Sequence, residues 1–328
     1  MNANATFYMR VYNVESHLLR RSVESVLTQT EPNFRFIIQD NGSTDGSEHI
    51  LKEYAQKDNR IVYFRNRVNS QVTVEEMNER EVILYENFEA VNSRYFAIID
   101  SDDYYEPEFL KKCMEVADEH MLDIVYTGYK QEYIDGSVYT KKCPPSLICN
   151  TNEIPGDIFE QEYPMFRTLW ATLYSAKLWR RYWMLLDVDR PAYMRSGLDT
   201  YINMKMLMEI DRFASISDVM YTQTLRPNSI YKGNVSVSRI READDLFLLG
   251  IEVAKRGGIL NEQSIIFLTS VYYYYIEETI KYILLDIKQA EHLRMEALEV
   301  LRQSPIFSML SEKSRDLKKL EFLLKEVD

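Results

Sequence analysis

The sequence predicts an α/β protein with a mainly parallel sheet, flanked by helices and followed by a helical extension. Short apolar runs typical of strands alternate with helix-period patterns through the first part of the chain. From Ser236 onward the pattern is helical throughout and contains few Gly or Pro residues. Five strands are predicted, at Thr6 to Val11, Phe34 to Gln39, Ile61 to Arg65, Tyr95 to Ile99 and Ile124 to Tyr129.

Helices and a hairpin are predicted between and after these strands. The segment SHLLRRSVESVL follows the first strand, and its apolar residues repeat at helical spacing, so one face should pack on the sheet. The apolar residues of FLKKCMEVA, after the fourth strand, have the same period. Asp135 and Gly136 separate two β-rich runs, which is typical of a β-hairpin.

Composition excludes several classes of protein. With 328 residues, of which 46% are hydrophobic, the chain can bury a large core. The formal charge of −12 argues against nucleic acid as the main partner. There is no signal-peptide pattern, and no stretch approaches about 18 uninterrupted apolar residues, so a cytoplasmic protein is predicted. Three cysteines without a CxxC motif support neither a disulfide framework nor a zinc site.

An acidic cluster follows the fourth predicted strand in AIIDSDDYYEPEF. Asp100, Asp102 and Asp103 lie within four residues of one another. A single Asp here would be explained by the favourable charge of a carboxylate at a helix N-terminus. Three together suit a hard divalent cation, Mg²⁺ or Mn²⁺, which can bridge the phosphates of a nucleotide. Open α/β sheets place their ligands at this edge.

A second polar segment, QDNGSTDGS, follows the second predicted strand. Asp40 and Asn41 carry side-chain oxygens, and the residues after them suit a tight turn that enters a helix near Ser47. Taken alone, the segment is better explained by an Asx-turn with a helix cap. Neither a GxGxxG fingerprint nor a GxxxxGK[ST] phosphate loop is present.

Three motifs together resemble a known family. VYN at 11–13, QDNGSTDGS at 39–47 and IIDSDDYYEPEFL at 98–110 have the order and spacing of the nucleotide-binding half of a family-two glycosyltransferase. The resemblance implies a GT-A fold, which is a Rossmann-like, mostly parallel sheet flanked by helices. It covers roughly residues 5–235 and says almost nothing about the helical remainder.

The resemblance implies a domain organisation and a donor site. It divides the chain into a catalytic domain, 1–235, and a helical extension, 236–328. Within the catalytic domain, 1–130 would bind the nucleotide-sugar and 131–235 the acceptor. The DxD motif would hold the sugar-diphosphate and the metal, Mn²⁺ or Mg²⁺. The residues implied are Tyr12 at the base, Asp40 and Asn41 at the base and ribose, Asp100, Ser101 and Asp102 at the sugar-diphosphate, and Asp102 and Asp103 at the metal.

Later segments also resemble the family. FRTLWATLYSAKLWRR implies Trp170 as a wall of the acceptor site, and RSGLDTYINMKML implies Asp199 as the catalytic base. YTQTLRPNSIY implies Arg226 and Ser229 near the diphosphate. By itself, Asp199 would more simply be explained as a helix N-cap.

Three positions depart from the family pattern. The family often has Glu in place of Leu198, a second Asp in place of Asn41, and Pro or a small residue in place of Arg10. Asn41 is still expected to accept a hydrogen bond from a uracil N–H through its amide oxygen.

The implied function is inverting transfer of a sugar, with a UDP-sugar as the expected donor, to a hydroxyl of a glycan or a lipid-linked acceptor. A catalytically impaired scaffold or regulatory subunit is the main alternative, favoured by Leu198 and Arg10 and opposed by the intact DSDD. A nucleotidyltransferase fits less well, because ATFYMRVYNVE lacks a glycine- and lysine-rich loop.

The apolar, aromatic run VYYYYIEETIKYILLDI predicts packing on the catalytic domain or in a homodimer. Peripheral contact with a membrane is a further expectation for the last helix.

Overall fold

The computed structural model describes residues 3–66, 93–182, 193–194, 197–226, 236–284 and 291–311. The strands are β1 (Ala5–Val11), β2 (Phe34–Asp40), β3 (Ile61–Arg65), β4 (Tyr95–Asp100), β5 (Tyr104–Tyr105), β6 (Ile124–Tyr133), β7 (Val138–Lys142), β8 (Leu147–Asn150), β9 (Thr172–Ser175) and β10 (Arg212–Leu225). The helices are α1 (Ser16–Leu27), α2 (Ser47–Lys57), α3 (Phe109–His120), α4 (Gly156–Gln161), α5 (Ala176–Tyr182), α6 (Leu198–Glu209), α7 (Ser238–Arg256), α8 (Glu262–Thr279), α9 (Glu291–Gln303) and α10 (Pro305–Ser311), with a 3-10 helix at Tyr163–Arg167 and a π-helical turn at Ile280–Leu284.

The strands form one mixed sheet with the order β3-β2-β1-β4-β9-β6-β10-β5. β1 pairs in parallel with β2 and with β4, and β2 pairs in parallel with β3. These four strands end within one residue of their predicted ends, and β6 runs four residues further than predicted. Because the strand order reverses beside β1, the carboxyl ends of β1, β2 and β4 form the crevice where open α/β sheets bind ligands.

Four strands of the sheet are absent from the prediction, namely the short β5 and β8 and, within the order of the sheet, β9 and β10. β9 lies between β4 and β6 and is antiparallel to both. It has only four residues and leads directly into α5, so its pattern cannot be separated from that of a helix. β10 is parallel to β6, and irregularities in register near Val219 break the alternation by which a strand is recognised.

The helices beside the parallel strands pack as predicted. Most of the apolar face of α1 is buried, and so is the apolar face of α3. Phe7, in β1, lies at the centre of an aromatic cluster that joins β2, β5 and the first residue of α3. Its ring contacts the rings of Phe34, Phe36, Tyr105 and Phe109. This packing fixes the chain that follows the acidic cluster. The predicted hairpin is also present, because β6 pairs with β7 in antiparallel fashion.

The chain divides into two compact units. The first contains Met1–Cys149, Leu169–Val188 and Arg212–Arg226, and it carries the sheet. The second contains Asn150–Thr168, Asp189–Asp211 and Pro227–Asp328. The helices of the predicted extension thus belong to the same unit as two earlier segments. The domain boundary after residue 235 stays a prediction.

The second unit is built around the contact between α7 and α8. Asn261 and Ser264 form a capping box that starts α8. Gly250, in α7, faces the side chain of Leu268, and a Cβ at this glycine would lie 2.6 Å from Leu268 Cδ2. Tyr272 and Tyr275 are buried inside this unit, so part of the apolar run VYYYYIEETIKYILLDI is buried by contacts within the chain. No helix in the described ranges is long and apolar enough to cross a membrane.

A buried carboxylate in the second unit predicts a pH-dependent stability. Asp244 Oδ1 accepts hydrogen bonds from Tyr272 Oη and Ser304 Oγ, both at 2.8 Å. Burial raises the pKa of Asp244, and the neighbouring Asp245 adds to the rise. As pH increases from the ordinary pKa to the raised one, the unfolded chain loses a proton that the folded chain keeps. Stability therefore falls through that window.

Asp244→Asn should abolish this fall, because Asn keeps the accepting Oδ1 and cannot ionise. We expect the melting temperature to rise by roughly 2 °C or more at pH 7.5 and to change little at pH 3.5. This prediction is tested by melting curves measured across this pH range. Glu252→Gln, on the exposed side of α7, is the control. An effect of equal size at every pH would contradict the role given to the carboxylate charge.

Candidate active site

The candidate site lies at the carboxyl ends of β1, β2 and β4. In the sheet register, Val11 is opposite Asp40, and Arg10 is opposite both Gln39 and Asp100. The sheet therefore brings together two of the three sequence motifs that lie far apart in the chain. The third begins at Val11 and continues into Tyr12, whose side chain is 40% exposed. An exposed aromatic ring beside such a crevice is suited to stacking on a nucleobase.

The loops after β1 and β2 are joined by hydrogen bonds. The backbone N–H of Asn13 donates to Ser43 Oγ (3.1 Å), and Asn13 Oδ1 accepts from the backbone N–H of Thr44 (2.8 Å). Asn13 has φ 48, a left-handed conformation that Asn tolerates better than most residues. Ser47 Oγ accepts from the backbone N–H of Val14, which ties the start of α2 to the same loop.

Asp40 is fully buried, and both oxygens of its carboxylate accept hydrogen bonds from within the protein. Its Oδ1 accepts from the backbone N–H of Ser43 (2.8 Å), and its Oδ2 pairs with Arg65 Nε (3.0 Å). Arg65 also donates to the carbonyl oxygen of Ser43 (2.7 Å), so it closes the turn after β2. Sequence analysis missed Arg65. Its position at the end of β3, next to β2, becomes meaningful only once the strand order is known.

Asn41 accepts two hydrogen bonds through the oxygen that was expected to meet the base. Gln39 Nε2 donates to Asn41 Oδ1 at 3.0 Å, and Asn66 Nδ2 donates to the same oxygen at 2.9 Å. The expected hydrogen bond from a uracil N–H to this oxygen would therefore compete with both donors.

The acidic cluster is divided between exposed and buried carboxylates. Asp100 is exposed, Asp102 is partly buried, and Asp103 is 2% exposed. Asp103 Oδ2 accepts from Tyr221 Oη (2.7 Å), and its Oδ1 accepts from the backbone N–H of Thr224 (2.7 Å). Burial, and secondarily the charges of Asp100 and Asp102, raise the pKa of Asp103 well above its usual range. Asp103 thus ties the acidic loop to β10.

Arg226 supplies positive charge beside this cluster. Its guanidinium lies 2.5 Å from Asp102 Oδ2. The Nε of Arg226 is buried and has no hydrogen-bond partner within the described part of the chain. An arginine placed in this way is suited to meeting an anion, because its fork of N–H donors matches phosphate oxygens. Ser229, the other predicted diphosphate contact, lies outside the described residues.

Trp170 is 6% exposed and packs inside the first unit. Its ring stacks on Tyr221 with centroids 4.7 Å apart, and it meets the edge of Tyr129 at 4.9 Å. The following residue, Ala171, has φ 57, a strained conformation for alanine. Trp170 thus supports the tyrosine that binds Asp103, and its predicted contact with an acceptor stays a prediction.

A charged cluster that sequence analysis missed braces β5. Arg21 lies over the ring of Tyr104 at 4.3 Å and donates to Thr224 Oγ1 at 2.7 Å. Tyr104 Oη donates to the buried carboxylate of Glu132 at 2.6 Å, and Lys130 lies 3.3 Å from Glu132. These residues come from α1, β5, β6 and β10, so no local sequence pattern predicts that they form a cluster.

Asp199 lies in the second unit, in the first turn of α6, and is exposed. The N-cap of α6 is Gly197, which makes no side-chain cap hydrogen bond, so Asp199 is not the cap. Leu198 is buried, which explains why an apolar residue suits this position. Thr200 Oγ1 and Asn203 Nδ2 donate to backbone carbonyl oxygens of 165–168 and thereby fix the helix within its unit.

No cluster of three or more His, Cys, Asp or Glu side chains arranged to hold a metal ion is present among the described residues.

Comparison with known proteins gives consistent similarities. The family model described as Glycosyl transferase family 2 matches residues 6–174, slightly more than half of the chain. EpsJ of Bacillus subtilis (strain 168), named an uncharacterized glycosyltransferase, is 27% identical over 225 residues. That match covers 67% of this chain and 60% of EpsJ, so the chain spans less than two thirds of this relative.

Solved structures share the fold at low sequence identity. S. aureus TarS 1–349 in complex with UDP-GlcNAc has a TM-score of 0.59 and 18% identity, covering 93% of this chain and 82% of that chain. The mannosyltransferase PcManGT from Pyrobaculum calidifontis, in complex with GDP-Man and Mn²⁺, has a TM-score of 0.51 and 12% identity, covering 100% of this chain and 85% of that chain. The predicted mostly parallel GT-A sheet and the C-terminal helices are confirmed.

Proposed function

Because the chain belongs to glycosyl transferase family 2 and is a glycosyltransferase, we propose that it moves a sugar from a UDP-sugar to a hydroxyl of a glycan or lipid-linked acceptor, with inversion. The observation that carries the proposal is the arrangement at the carboxyl edge of the sheet. There the carboxylates after β4 lie beside the turn after β2 and the exposed ring of Tyr12. TarS binds UDP-GlcNAc in its crystal structure, which supports uridine as the nucleoside.

A divalent cation, Mn²⁺ or Mg²⁺, fits part of the predicted ligand set. Asp100 and Asp102 carry carboxylates at the open edge, and oxygen ligands suit these ions. Both oxygens of Asp103 already accept hydrogen bonds inside the protein, which favours Asp103 as a positioning residue. We therefore assign the metal first to Asp102, with Asp100 as its neighbour. When bound, the cation would neutralise charge on the departing diphosphate. The PcManGT structure contains Mn²⁺.

The protein's own groups supply the remaining requirements of the reaction. Tyr12 stacks on the base, Asp40 holds the turn that faces the ribose, and Ser101 lies between Asp100 and Asp102 in the chain, beside the sugar-diphosphate. Arg226 donates to the diphosphate, together with Ser229. Asp199 takes the proton of the acceptor hydroxyl, since displacement at an anomeric carbon needs a base within about 2.6–3.2 Å of that proton. Trp170 borders the acceptor.

Removing the metal tests this function. The purified protein, given a panel of UDP-sugars and Mn²⁺, is expected to release UDP by hydrolysis or transfer, and this activity should disappear with excess EDTA. Adding Mn²⁺ or Mg²⁺ back should restore it. Liquid chromatography of UDP is the measurement. Undiminished release in EDTA would contradict metal assistance, and no release from any nucleotide-sugar would favour a non-catalytic scaffold. Cytoplasmic location, peripheral membrane contact and homodimerisation stay predictions.

A further inference from the structure

The acidic loop after β4 is a tight turn. The backbone N–H of Asp103 donates to the carbonyl oxygen of Asp100 at 3.1 Å, so Ser101 and Asp102 are the two central residues of the turn. Ser22 Oγ, in α1, donates to the same carbonyl oxygen, also at 3.1 Å. The direction in which Asp102 leaves the turn therefore depends on how firmly Asp100 and Asp103 are held.

A single hydroxyl group holds both ends of this turn. Tyr221 Oη accepts a hydrogen bond from the backbone N–H of Asp100 at 3.2 Å, and it donates to Asp103 Oδ2 at 2.7 Å. A phenol has one proton to donate and lone pairs with which to accept, so one hydroxyl can make both contacts. All residues of this arrangement belong to the first unit.

The ring that carries the hydroxyl is fixed by packing. Tyr221 is fully buried, and its ring stacks on that of Trp170 with the two planes 6° apart. The ring of Tyr105 meets it nearly at a right angle, with centroids 4.9 Å apart, and β5 pairs with β10 at these two tyrosines. Because close packing leaves such a side chain a single position, the hydroxyl is in place before a ligand binds.

The burial of Tyr221 decides what kind of role it can have. A side chain without exposed surface touches neither a cation nor a nucleotide, so any effect of Tyr221 on a ligand must pass through the turn. Asp102, at the centre of the turn, is the carboxylate to which we assign the metal first. Groups that orient a metal ligand commonly change metal affinity by about 10- to 100-fold when they are removed.

We propose that Tyr221 is a positioning residue for the metal, which holds the turn in the conformation that presents Asp102 to a divalent cation. This inference rests on the proposed function, because it assumes a cation bound at the acidic turn together with UDP. A turn that is held in advance loses little conformational freedom when the cation binds, and this raises the affinity.

The test is the dissociation constant for Mn²⁺ at saturating UDP, measured on the full chain. The electron paramagnetic resonance signal of free Mn²⁺ gives this constant, after correction with a protein-free UDP blank. Tyr221→Phe keeps the packed ring and removes only the hydroxyl, so it should raise the constant by about 10-fold or more. Its affinity for UDP in EDTA should stay within about threefold of parental, because the residues assigned to the nucleoside follow β1 and β2.

Tyr95→Phe is the matched control. Tyr95 lies at the opposite end of β4, and its hydroxyl likewise donates to an aspartate, Asp118, at 2.6 Å. This variant loses the same kind of hydrogen bond from the same sheet and should leave the Mn²⁺ constant unchanged. Melting curves show that each variant is folded.

Hydrogen exchange of the parent protein tests the same inference without a substitution. In the ligand-free protein, the amides of Asp100 and Asp103 should exchange slowly, because both already donate hydrogen bonds. Mn²⁺ with UDP should then add little protection. Fast exchange that becomes slow only with Mn²⁺ and UDP would overturn the proposal, since the ligand would then order the turn.

The variants distinguish this inference from the proposed function. An unchanged Mn²⁺ constant in Tyr221→Phe, or an equal rise in Tyr95→Phe, overturns the positioning role; the proposed function survives if the parent protein binds UDP and Mn²⁺. If the parent binds UDP without acquiring a Mn²⁺ site, the inference and the metal assignment fail together. If the parent binds neither, the proposed function fails as well.

Discussion

Asp102→Asn is expected to lower the rate of sugar transfer by at least roughly 10²–10³-fold while leaving the fold intact. Asp102 lies at the open edge of the sheet, 2.5 Å from the guanidinium of Arg226. Asn preserves its size but removes the charge that would hold the cation beside the diphosphate. The loss should fall mainly on turnover, because charge develops on the leaving group in the transition state. Initial rates at saturating UDP-sugar over a Mn²⁺ titration provide the measurement.

Two variants make this result specific. Asp135→Asn, in the exposed hairpin turn, removes the same charge from the same unit and should leave transfer unchanged. Asp103→Asn should impair activation by Mn²⁺ less than Asp102→Asn does, since the Asn oxygen still accepts from the Thr224 backbone N–H. If Asp103→Asn were the more damaging and the less responsive to Mn²⁺, the metal assignment would move to Asp103. Parental turnover in Asp102→Asn would remove Asp102 from the metal site.

The parts of the site that sequence analysis predicted are those with a local signal. The strands that carry the motifs are apolar runs ended by polar residues, and parallel strands bring such ends to one edge. For that reason the acidic cluster and the turn after β2 could be expected to lie together before the fold was known. The register of β1, which faces Asp40 on one side and Asp100 on the other, confirms this juxtaposition.

The parts that could not be predicted depend on contacts between distant segments. The burial of Asp103 depends on Tyr221 and Thr224, more than 100 residues later, in a strand whose pattern is interrupted. Similarly, the cluster around Glu132 draws on α1, β5 and β10. The sequence shows only that these acidic residues lie close together in the chain. Only the pairing of β10 with β6 separates a carboxylate turned inward from those at the open edge.

Asp199 is another residue whose role the sequence could not decide. The sequence left two explanations for it, a helix N-cap and a catalytic base. As a cap, Asp199 would have to precede the helix and accept a hydrogen bond from its first turn. In the structure, Gly197 holds the cap position, and Asp199 is an exposed residue one place beyond the buried Leu198. Its charge gains from the favourable field at a helix N-terminus, an effect of about 0.3–1 kcal/mol.

Asp199→Asn is therefore expected to separate catalysis from stability. If Asp199 is the base, the variant should lower transfer to the acceptor by at least about 10²-fold, with donor affinity near parental, because the donor residues belong to other segments. The measurement is turnover at saturating donor and acceptor, together with the dissociation constant for UDP. Near-parental turnover would eliminate Asp199 as the base.

Asp157→Asn is the matched control, since Asp157 is an exposed aspartate in the first turn of α4, in the same unit. Both variants lose one carboxylate near a helix N-terminus, so a purely electrostatic effect on stability should be similar in the two. Only a base would make the loss of turnover specific to Asp199. The anomeric configuration of the product is an independent check: a single displacement must invert it, and retention would exclude this mechanism even if Asp199 proved essential.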